Sequence, residues 1–100
     1  MSTYQIGFPN ESVEKRFEKE LAGLPRNFIV AVKKAIETLS QNPRPLGKKF
    51  RFLNPPVVVK HYLAHYRLRV GNYRILYDID EYKKRVILLA IRKRAENTYK

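Results

Sequence analysis

Three arginines lie close together in the second half of the chain, at Arg67, Arg69 and Arg74. A guanidinium group stays charged at any physiological pH, and its planar fork of donors can bind two oxygens of one phosphate. Such groups also stabilise the extra negative charge that a phosphoryl group acquires when its phosphorus is attacked in line. These residue types at this spacing therefore indicate a surface that binds phosphate groups or acts on them.

A β-hairpin is the element that must position these arginines. In residues 66–77, apolar and mostly cationic residues alternate on both sides of Gly71-Asn72, a dipeptide suited to a two-residue turn. One face of the hairpin carries the arginines, and the other is apolar and suits a core. The predicted register pairs Val70 with Tyr73, Arg69 with Arg74, Leu68 with Ile75, Arg67 with Leu76 and Tyr66 with Tyr77.

The predicted pairing of Arg69 with Arg74 is unfavourable by itself. Like charges directly opposite each other in a strand pair destabilise it by about 0.2–1 kcal/mol. Two interpretations follow from the hairpin alone, a solvated basic face or a phosphate-binding face, and the hairpin does not choose between them.

Composition limits the classes of protein to consider. A chain of 100 residues suits a single domain spanning residues 1–100, and 21 Lys and Arg against 9 Asp and Glu leave a net charge of +12. This charge indicates an anionic partner, either nucleic acid or an acidic protein. The absence of cysteine excludes disulfides and thiolate metal sites. With no signal-peptide pattern and no long apolar run, we expect a cytoplasmic protein without membrane contact.

The remaining segments predict the elements around the hairpin. A short strand at residues 4–8 is followed by two amphipathic helices, which form an αα-hairpin and end near Pro25 and Pro43. Residues 43–56 predict a loop, with a short strand at 50–53 as an option. Residues 57–65 predict either one long strand bent at Ala64 or a strand followed by an excursion. Residues 78–84 predict a turn, and 85–91, apolar on both faces, predict a covered or central strand.

The predicted fold class is therefore α+β. We expect an N-terminal strand and an αα-hairpin packed on a mainly antiparallel twisted sheet of about four strands, followed by a short basic C-terminal tail.

This element order, together with residues 66–77, resembles the RelE/ParE superfamily of toxins from toxin–antitoxin pairs. The hairpin is similar to the family's basic strand, turn and Gly-x-Tyr-Arg-apolar-apolar-Tyr strand, and residues 92–94 ahead of Tyr99 resemble its closing arginine and tyrosine. The resemblance covers the whole chain in element order and begins at about Tyr66 in motifs. Ribonuclease members, the RelE branch, and gyrase-directed members, the ParE branch, share this scaffold.

The resemblance to the RelE branch implies a metal-independent and cofactor-independent endoribonuclease that cuts mRNA in the ribosomal A site. The substrate's own 2′-oxygen attacks the adjacent phosphorus and leaves a 2′,3′-cyclic phosphate. The resemblance also implies a cognate antitoxin, acidic or amphipathic, that wraps the toxin. The implied catalytic residues are Arg69, Arg74, Arg94 and Tyr99, and the implied RNA-binding residues are Lys49, Arg67, Arg92 and Lys93. If the register of the last strand shifts, Arg92 or Lys93 takes the role of Arg94.

The sequence leaves open which group takes the proton from the 2′-hydroxyl. Tyr99 has a reference pKa of about 10, which nearby cations lower, but the same ring can instead stack on a base. His65 is the alternative base, because it directly precedes the basic strand and histidine titrates near neutrality. His61 and His65 lie four residues apart, but the segment predicts exposed histidines on a strand rather than a metal site.

Two classes of function are compatible with the sequence. The first is the ribosome-dependent endoribonuclease, and the second is a binding protein that uses the same basic face to inhibit a target such as gyrase or to hold RNA. Tyr99 favours the first class, because a pure binder needs cations but gains little from an arginine cluster followed by a tyrosine.

Overall fold

The computed structural model describes residues 3–93. Arg94 and Tyr99, two of the expected catalytic residues, lie outside the described residues. The elements are, in chain order, β1 (Gln5–Gly7), α1 (Glu11–Ala22), α2 (Arg26–Gln41), β2 (Phe50–Val59), β3 (Tyr62–Val70), β4 (Tyr73–Asp80) and β5 (Arg85–Lys93). The strands form one sheet in the order β1-β5-β4-β3-β2, with β1 parallel to β5 and the other neighbours antiparallel. This architecture confirms the predicted α+β class.

The two helices begin and end where the local sequence signals lie. The Asn10 side chain caps α1 by accepting a hydrogen bond from the Val13 N–H at 2.9 Å. Glu11 and Glu14 lie in the first turn, where carboxylates interact favourably with the helix dipole. Helix α2 begins directly after Pro25, and both helices lay an apolar stripe on the sheet.

The β3–β4 hairpin has the predicted register. Val70 pairs with Tyr73, and the pairs continue through Arg69 with Arg74 to Tyr66 with Tyr77. Gly71 opens the turn with a φ of +60°, a left-handed conformation that favours glycine. A Cβ at this position would also clash with the Phe28 ring, so the turn fits closely beneath α2.

Strand β2 runs continuously from Phe50 to Val59, so the optional strand at 50–53 is confirmed as its beginning, and the prediction of a loop is wrong for residues 54–56. Proline cannot donate a hydrogen bond to a neighbouring strand, so Pro55 and Pro56 indicate a loop rather than a strand when the sequence is considered alone. Strand β2 lies at the edge of the sheet, and its register on β3 breaks between Phe52 and Val57, where both prolines are accommodated.

Residues 57–65 form neither of the two predicted arrangements. Val59 and Tyr62 are paired, and the turn between them contains Lys60 with a φ of 59°. The segment is thus the outer half of a second hairpin, which gives the sheet five strands rather than about four. Strand β4 also extends to Asp80, so the predicted turn at 78–84 shortens to residues 81–84.

Apolar clusters cover both faces of the sheet. On the helix side, Phe17, Val32 and Leu39 pack against residues that include Ile75 and Tyr77. On the other side, a smaller cluster joins the outer half of the β2–β3 hairpin to β4 and β5: Val59, Ala64, Leu76, Leu89 and Ala90. The predicted covering of β5 on both faces is confirmed, because it contributes to both clusters.

Helix α1 also closes one edge of β5. Strand β1 pairs with residues 85–87 of β5, and side chains of α1 contact the backbone farther along that edge. The Glu20 carboxylate accepts a hydrogen bond from the Ile91 N–H at 2.9 Å, and Arg16 donates to the Leu89 carbonyl at 3.4 Å. No helix within residues 3–93 is long and apolar enough to cross a membrane.

Candidate nucleic-acid interface

Arginines from three adjacent strands lie side by side on the sheet face opposite the helices. Arg69 on β3 pairs with Arg74 on β4, and Arg74 pairs in turn with Arg92 on β5. Neighbouring strands are about 4.8 Å apart, so this row spans about 10 Å. Three guanidinium groups therefore start from one short line across the sheet.

A second row lies beside the first. Arg51 on β2 pairs with Arg67 on β3, two residues along the strand from Arg69, or about 6.7 Å. Lys49 extends the first row, because its carbonyl accepts the Arg69 N–H at 2.9 Å and alternation from Phe50 puts its side chain on the same face. We call these residues the basic face: Lys49, Arg51, Arg67, Arg69, Arg74 and Arg92.

The side chains of the basic face differ in how firmly they are held. Arg74 is half-buried, with its Nε buried, whereas Lys49, Arg51 and Arg92 are exposed. The Arg67 Nη1 reaches the Lys49 carbonyl at 3.5 Å, so its guanidinium leans toward the first row. Arg74 therefore has less conformational freedom than the exposed side chains at the rim of the face.

The outer half of the β2–β3 hairpin borders the basic face. Leu76, the cross-strand partner of Arg67, packs in the smaller apolar cluster with Ala64 of that hairpin. The hairpin is tied to α1 as well, because the Asn10 amide donates a hydrogen bond to the Tyr62 hydroxyl at 2.7 Å. A single residue, Asn10, therefore caps the helix and anchors the border of the face.

A histidine and an aspartate lie next to the basic face. The Nδ1 of His65 is 3.2 Å from the Oδ1 of Asp78, and the ring of Phe52 lies nearly parallel to the imidazole. The expectation of exposed histidines is right for His61 but wrong for His65, which is half-buried in this pair. Within residues 3–93, no three side chains of the His, Cys, Asp or Glu type cluster as metal ligands would.

A polar network on another part of the surface fixes the segment that follows α2. Glu81 accepts a hydrogen bond from the Tyr4 hydroxyl at 2.7 Å and forms an ion pair with Arg44. These two hydrogen bonds hold the pKa of the Glu81 carboxyl below its ordinary value, and the same ion pair raises the pKa of Arg44. Tyr77 donates to the Pro43 carbonyl at 2.7 Å, and burial raises the pKa of its hydroxyl.

The structure brings together five of the residues that the sequence singles out: Lys49, Arg67, Arg69, Arg74 and Arg92. Lys93 does not join them, because it pairs with Tyr73 and alternation puts it on the helix side. Sequence reasoning missed Arg51, although the alternation of Phe50, Arg51 and Phe52 was a signal that it belongs to a strand.

Comparison with known proteins shows the family of this chain. The family model that describes the ParE toxin of the type II toxin–antitoxin system parDE matches residues 12–98. The chain belongs to the RelE/ParE superfamily of type II toxins. The resemblance seen in the hairpin and in the element order is thereby confirmed.

Relatives of this RelE/ParE toxin come from archaea and bacteria. A Methanocaldococcus jannaschii protein that carries the toxin name RelE1 is 33% identical over 91 residues, which are 91% of this chain and 94% of the relative. The toxin–antitoxin complex RelBE2 from Mycobacterium tuberculosis contains a chain that is 28% identical, with a TM-score of 0.65, over 96% of this chain and 97% of that one. The archaeal RelE–RelB complex from Pyrococcus horikoshii OT3 shares the fold, with a TM-score of 0.72 at 23% identity over 94% and 98% of the two chains.

Proposed function

We propose that this RelE/ParE toxin is a ribosome-dependent endoribonuclease that cleaves mRNA in the ribosomal A site. The observation that carries the proposal is the row of Arg69, Arg74 and Arg92 across three strands. A fold gains nothing from setting like charges directly opposite each other, whereas a phosphate bound between them relieves their repulsion. The RelE1 name of one relative and the RelBE2 complex support the RelE branch.

The reaction needs charge stabilisation more than any other help from the protein. When the 2′-oxygen attacks the adjacent phosphorus, negative charge grows on the phosphoryl oxygens and on the leaving 5′-oxygen. Arg74 and Arg69 bind the phosphoryl oxygens, and they bind the transition state more tightly than the ground state because the charge there is larger. Arg94, just after the end of β5, serves the leaving oxygen.

The remaining cations of the basic face hold the message on either side of the scissile phosphate. Arg51 and Arg67 form the second row, one step of about 6.7 Å along the strands, and bind the backbone of the neighbouring nucleotide. Lys49 and Arg92 lie at the two ends of the first row. Lys93, on the helix side of β5, adds positive charge near the face without a contact on it. Because its target is the translating ribosome, the toxin acts in the cytoplasm.

A cognate antitoxin is the second partner that we propose. An open groove of about 910 Å³ lies on the helix side, between α2, the loop that follows it and the end of β3. Its floor is apolar, with Phe28 and Leu68, and its rim carries Lys34 and Lys48. This combination suits an amphipathic segment with acidic residues, and the solved RelBE2 structure is a toxin–antitoxin complex.

A gyrase-directed toxin is the second candidate function. The observation that favours it is the description of the matching family model, which names the ParE toxin. In this case the basic face binds its target without cutting RNA.

One experiment separates the two candidates. The purified toxin is added to translating ribosomes, and the message is mapped for new ends; in parallel, it is added to DNA gyrase in a supercoiling assay. We expect cuts within codons in the A site and undisturbed supercoiling. Inhibited gyrase with an intact message would replace the proposal with the second candidate.

A further inference from the structure

We infer that His65, held by Asp78, takes the proton from the attacking 2′-hydroxyl. This inference rests on the endoribonuclease function proposed above. It concerns a pair of residues on β3 and β4 that the arginine rows do not include.

The geometry of the pair fixes the orientation of the imidazole. The Nδ1 of His65 lies 3.2 Å from the Oδ1 of Asp78, and that carboxylate oxygen also accepts the Ile79 N–H at 2.9 Å. The Phe52 ring lies at 16° to the imidazole, with 6.5 Å between ring centroids. With Nδ1–H donating to the carboxylate, the lone pair of Nε2 is available to accept a proton.

The pair is accessible and lies next to the phosphate-binding rows. The side chains of His65 and Asp78 are 35% and 32% exposed. Asp78 pairs with Ile87, which packs against the smaller apolar cluster, so the pair lies on the sheet face opposite the helices. Along β3, His65 is two residues from Arg67, or about 6.7 Å. An RNA strand held by the two arginine rows therefore passes within reach of the imidazole.

The chemistry explains why the face needs such a group. Its own side chains are guanidinium and ammonium groups, whose reference pKa values of about 10.4 or more keep them protonated at neutral pH. They stabilise anions but cannot accept a proton. An imidazole can, because histidine changes its charge in the physiological range.

In the proposed step, one bond to phosphorus forms as another breaks. Nε2 of His65 takes the 2′-hydroxyl proton, and the 2′-oxygen forms a bond to phosphorus. The bond between phosphorus and the 5′-oxygen breaks with its electron pair on that oxygen, which takes a proton from water. The imidazolium, stabilised by Asp78, then loses its proton to solvent.

The test is His65→Gln, with His61→Gln as its matched control, because His61 is exposed at the turn between β2 and β3. We expect His65→Gln to lower the single-turnover rate of cutting on ribosomes by about 10²–10⁴-fold while ribosome affinity stays unchanged. His61→Gln should cut like the wild type. His65→Ala should regain cutting when free imidazole is added, a result that a purely structural role does not give.

Asp78→Asn tests the positioning of the imidazole. We expect a smaller loss of rate and a displaced rising limb in the plot of rate against pH, a limb that His65→Gln should lack. The Asp78 carboxylate faces the ring at 3.2 Å, so the limb should move to lower pH when the imidazolium loses this anionic partner. Thermal melting of each variant shows whether it folds.

The outcomes separate the inference from the function on which it rests. A wild-type protein that leaves ribosome-bound mRNA intact would refute the proposed endoribonuclease. Equal cutting by the wild type, His65→Gln and His61→Gln would refute the assignment of His65 alone. Weaker binding by His65→Gln without a slower cutting step would also refute it, because it would make the imidazole a contact for RNA rather than a base.

Discussion

Arg69 and Arg74 pair directly across the β3–β4 hairpin, and Arg92 on the next strand extends the same line. Their alignment concentrates positive charge near the β3–β4 turn, on the sheet face opposite the helices. The pair therefore offers a direct way to compare what this face contributes to folding with what it contributes to activity.

The first prediction concerns Arg74→Ala. Its fold should stay intact, with a melting temperature equal to or above that of the wild type, because removing Arg74 relieves repulsion worth about 0.2–1 kcal/mol. Cutting should fall by about 10²–10³-fold, the usual effect of removing one donor to a developing oxyanion. Melting curves and cutting assays on ribosomes check the two halves.

Arg26→Ala is the matched control, since Arg26 is exposed at the start of α2, away from the basic face. It should change neither quantity. Unfolding of Arg74→Ala would mean that Arg74 mainly supports the sheet rather than the chemistry.

The second prediction concerns Arg51, the residue that the sequence did not single out. Its pairing with Arg67 makes it a contact for the RNA backbone. Arg51→Ala should weaken affinity for single-stranded RNA and reduce the slope of log affinity against log salt by about 0.7, the value for one phosphate contact on a single strand. An unchanged slope between 50 and 200 mM salt, the range over which such effects are normally large, would exclude this contact.

The hairpin could be predicted because its information is local. Gly71-Asn72 defines the turn, and period-two alternation on both sides fixes the register of Arg69 on Arg74. The start of helix α1 could be predicted for the same reason, since Asn10 and the carboxylates that follow it mark its first turn. Each of these signals lies within about a dozen consecutive residues.

The second arginine row could not be predicted in the same way. Arg51 meets Arg67, and Arg74 meets Arg92, only because the sheet has the order β5-β4-β3-β2. That order depends on packing between distant segments. The prolines of β2 concealed the strand as well, since a strand that tolerates them must lie at an edge.

Asp78, the partner of the proposed base, could not be assigned from local sequence either. In the sequence, Asp78 lies between the hairpin and the acidic residues Asp80 and Glu81, and this context predicts a turn residue. In the structure it belongs to β4 and pairs with His65, which is 13 positions earlier in the chain. The hairpin register pairs Tyr66 with Tyr77, and only its extension by one residue pair would have predicted the contact between His65 and Asp78.

The third prediction concerns the pH dependence of stability. The pKa of Glu81 lies below its ordinary value of 4.5 because Tyr4 and Arg44 stabilise the carboxylate. A carboxyl with a lowered folded-state pKa stabilises the fold above the unfolded-state pKa, and this contribution disappears as the pH falls through the folded-state value. Glu81→Gln should therefore melt at a lower temperature than the wild type at neutral pH.

The difference between Glu81→Gln and the wild type should shrink as the pH falls below about 4. Melting temperatures measured from neutral to acid pH check this. Glu37→Gln is the matched control, because Glu37 is exposed on α2, and it should follow the wild type throughout. A constant difference at every pH would show that Glu81 acts by packing and not by its charge.

The fourth prediction concerns Tyr99, which lies outside the described residues. If His65 is the base, the Tyr99 ring is left to stack on a nucleobase. Tyr99→Phe keeps the ring and should cut mRNA almost like the wild type, whereas Tyr99→Ala should weaken binding by about 1–3 kcal/mol, the usual value of an aromatic–base stack. Ribosome affinity and single-turnover cutting, measured on both variants, separate the two effects.

The opposite result for Tyr99 has an equally definite meaning. A loss of about 10²–10⁴-fold in cutting by Tyr99→Phe at unchanged affinity would make its hydroxyl the base and would remove that role from His65. Deletion of residues 98–100 without any effect on RNA cutting or growth inhibition would exclude both roles of Tyr99. In that case the arginine rows would have no tyrosine partner, and the gyrase-directed function, which needs cations but no positioned aromatic ring, would become the better explanation of the basic face.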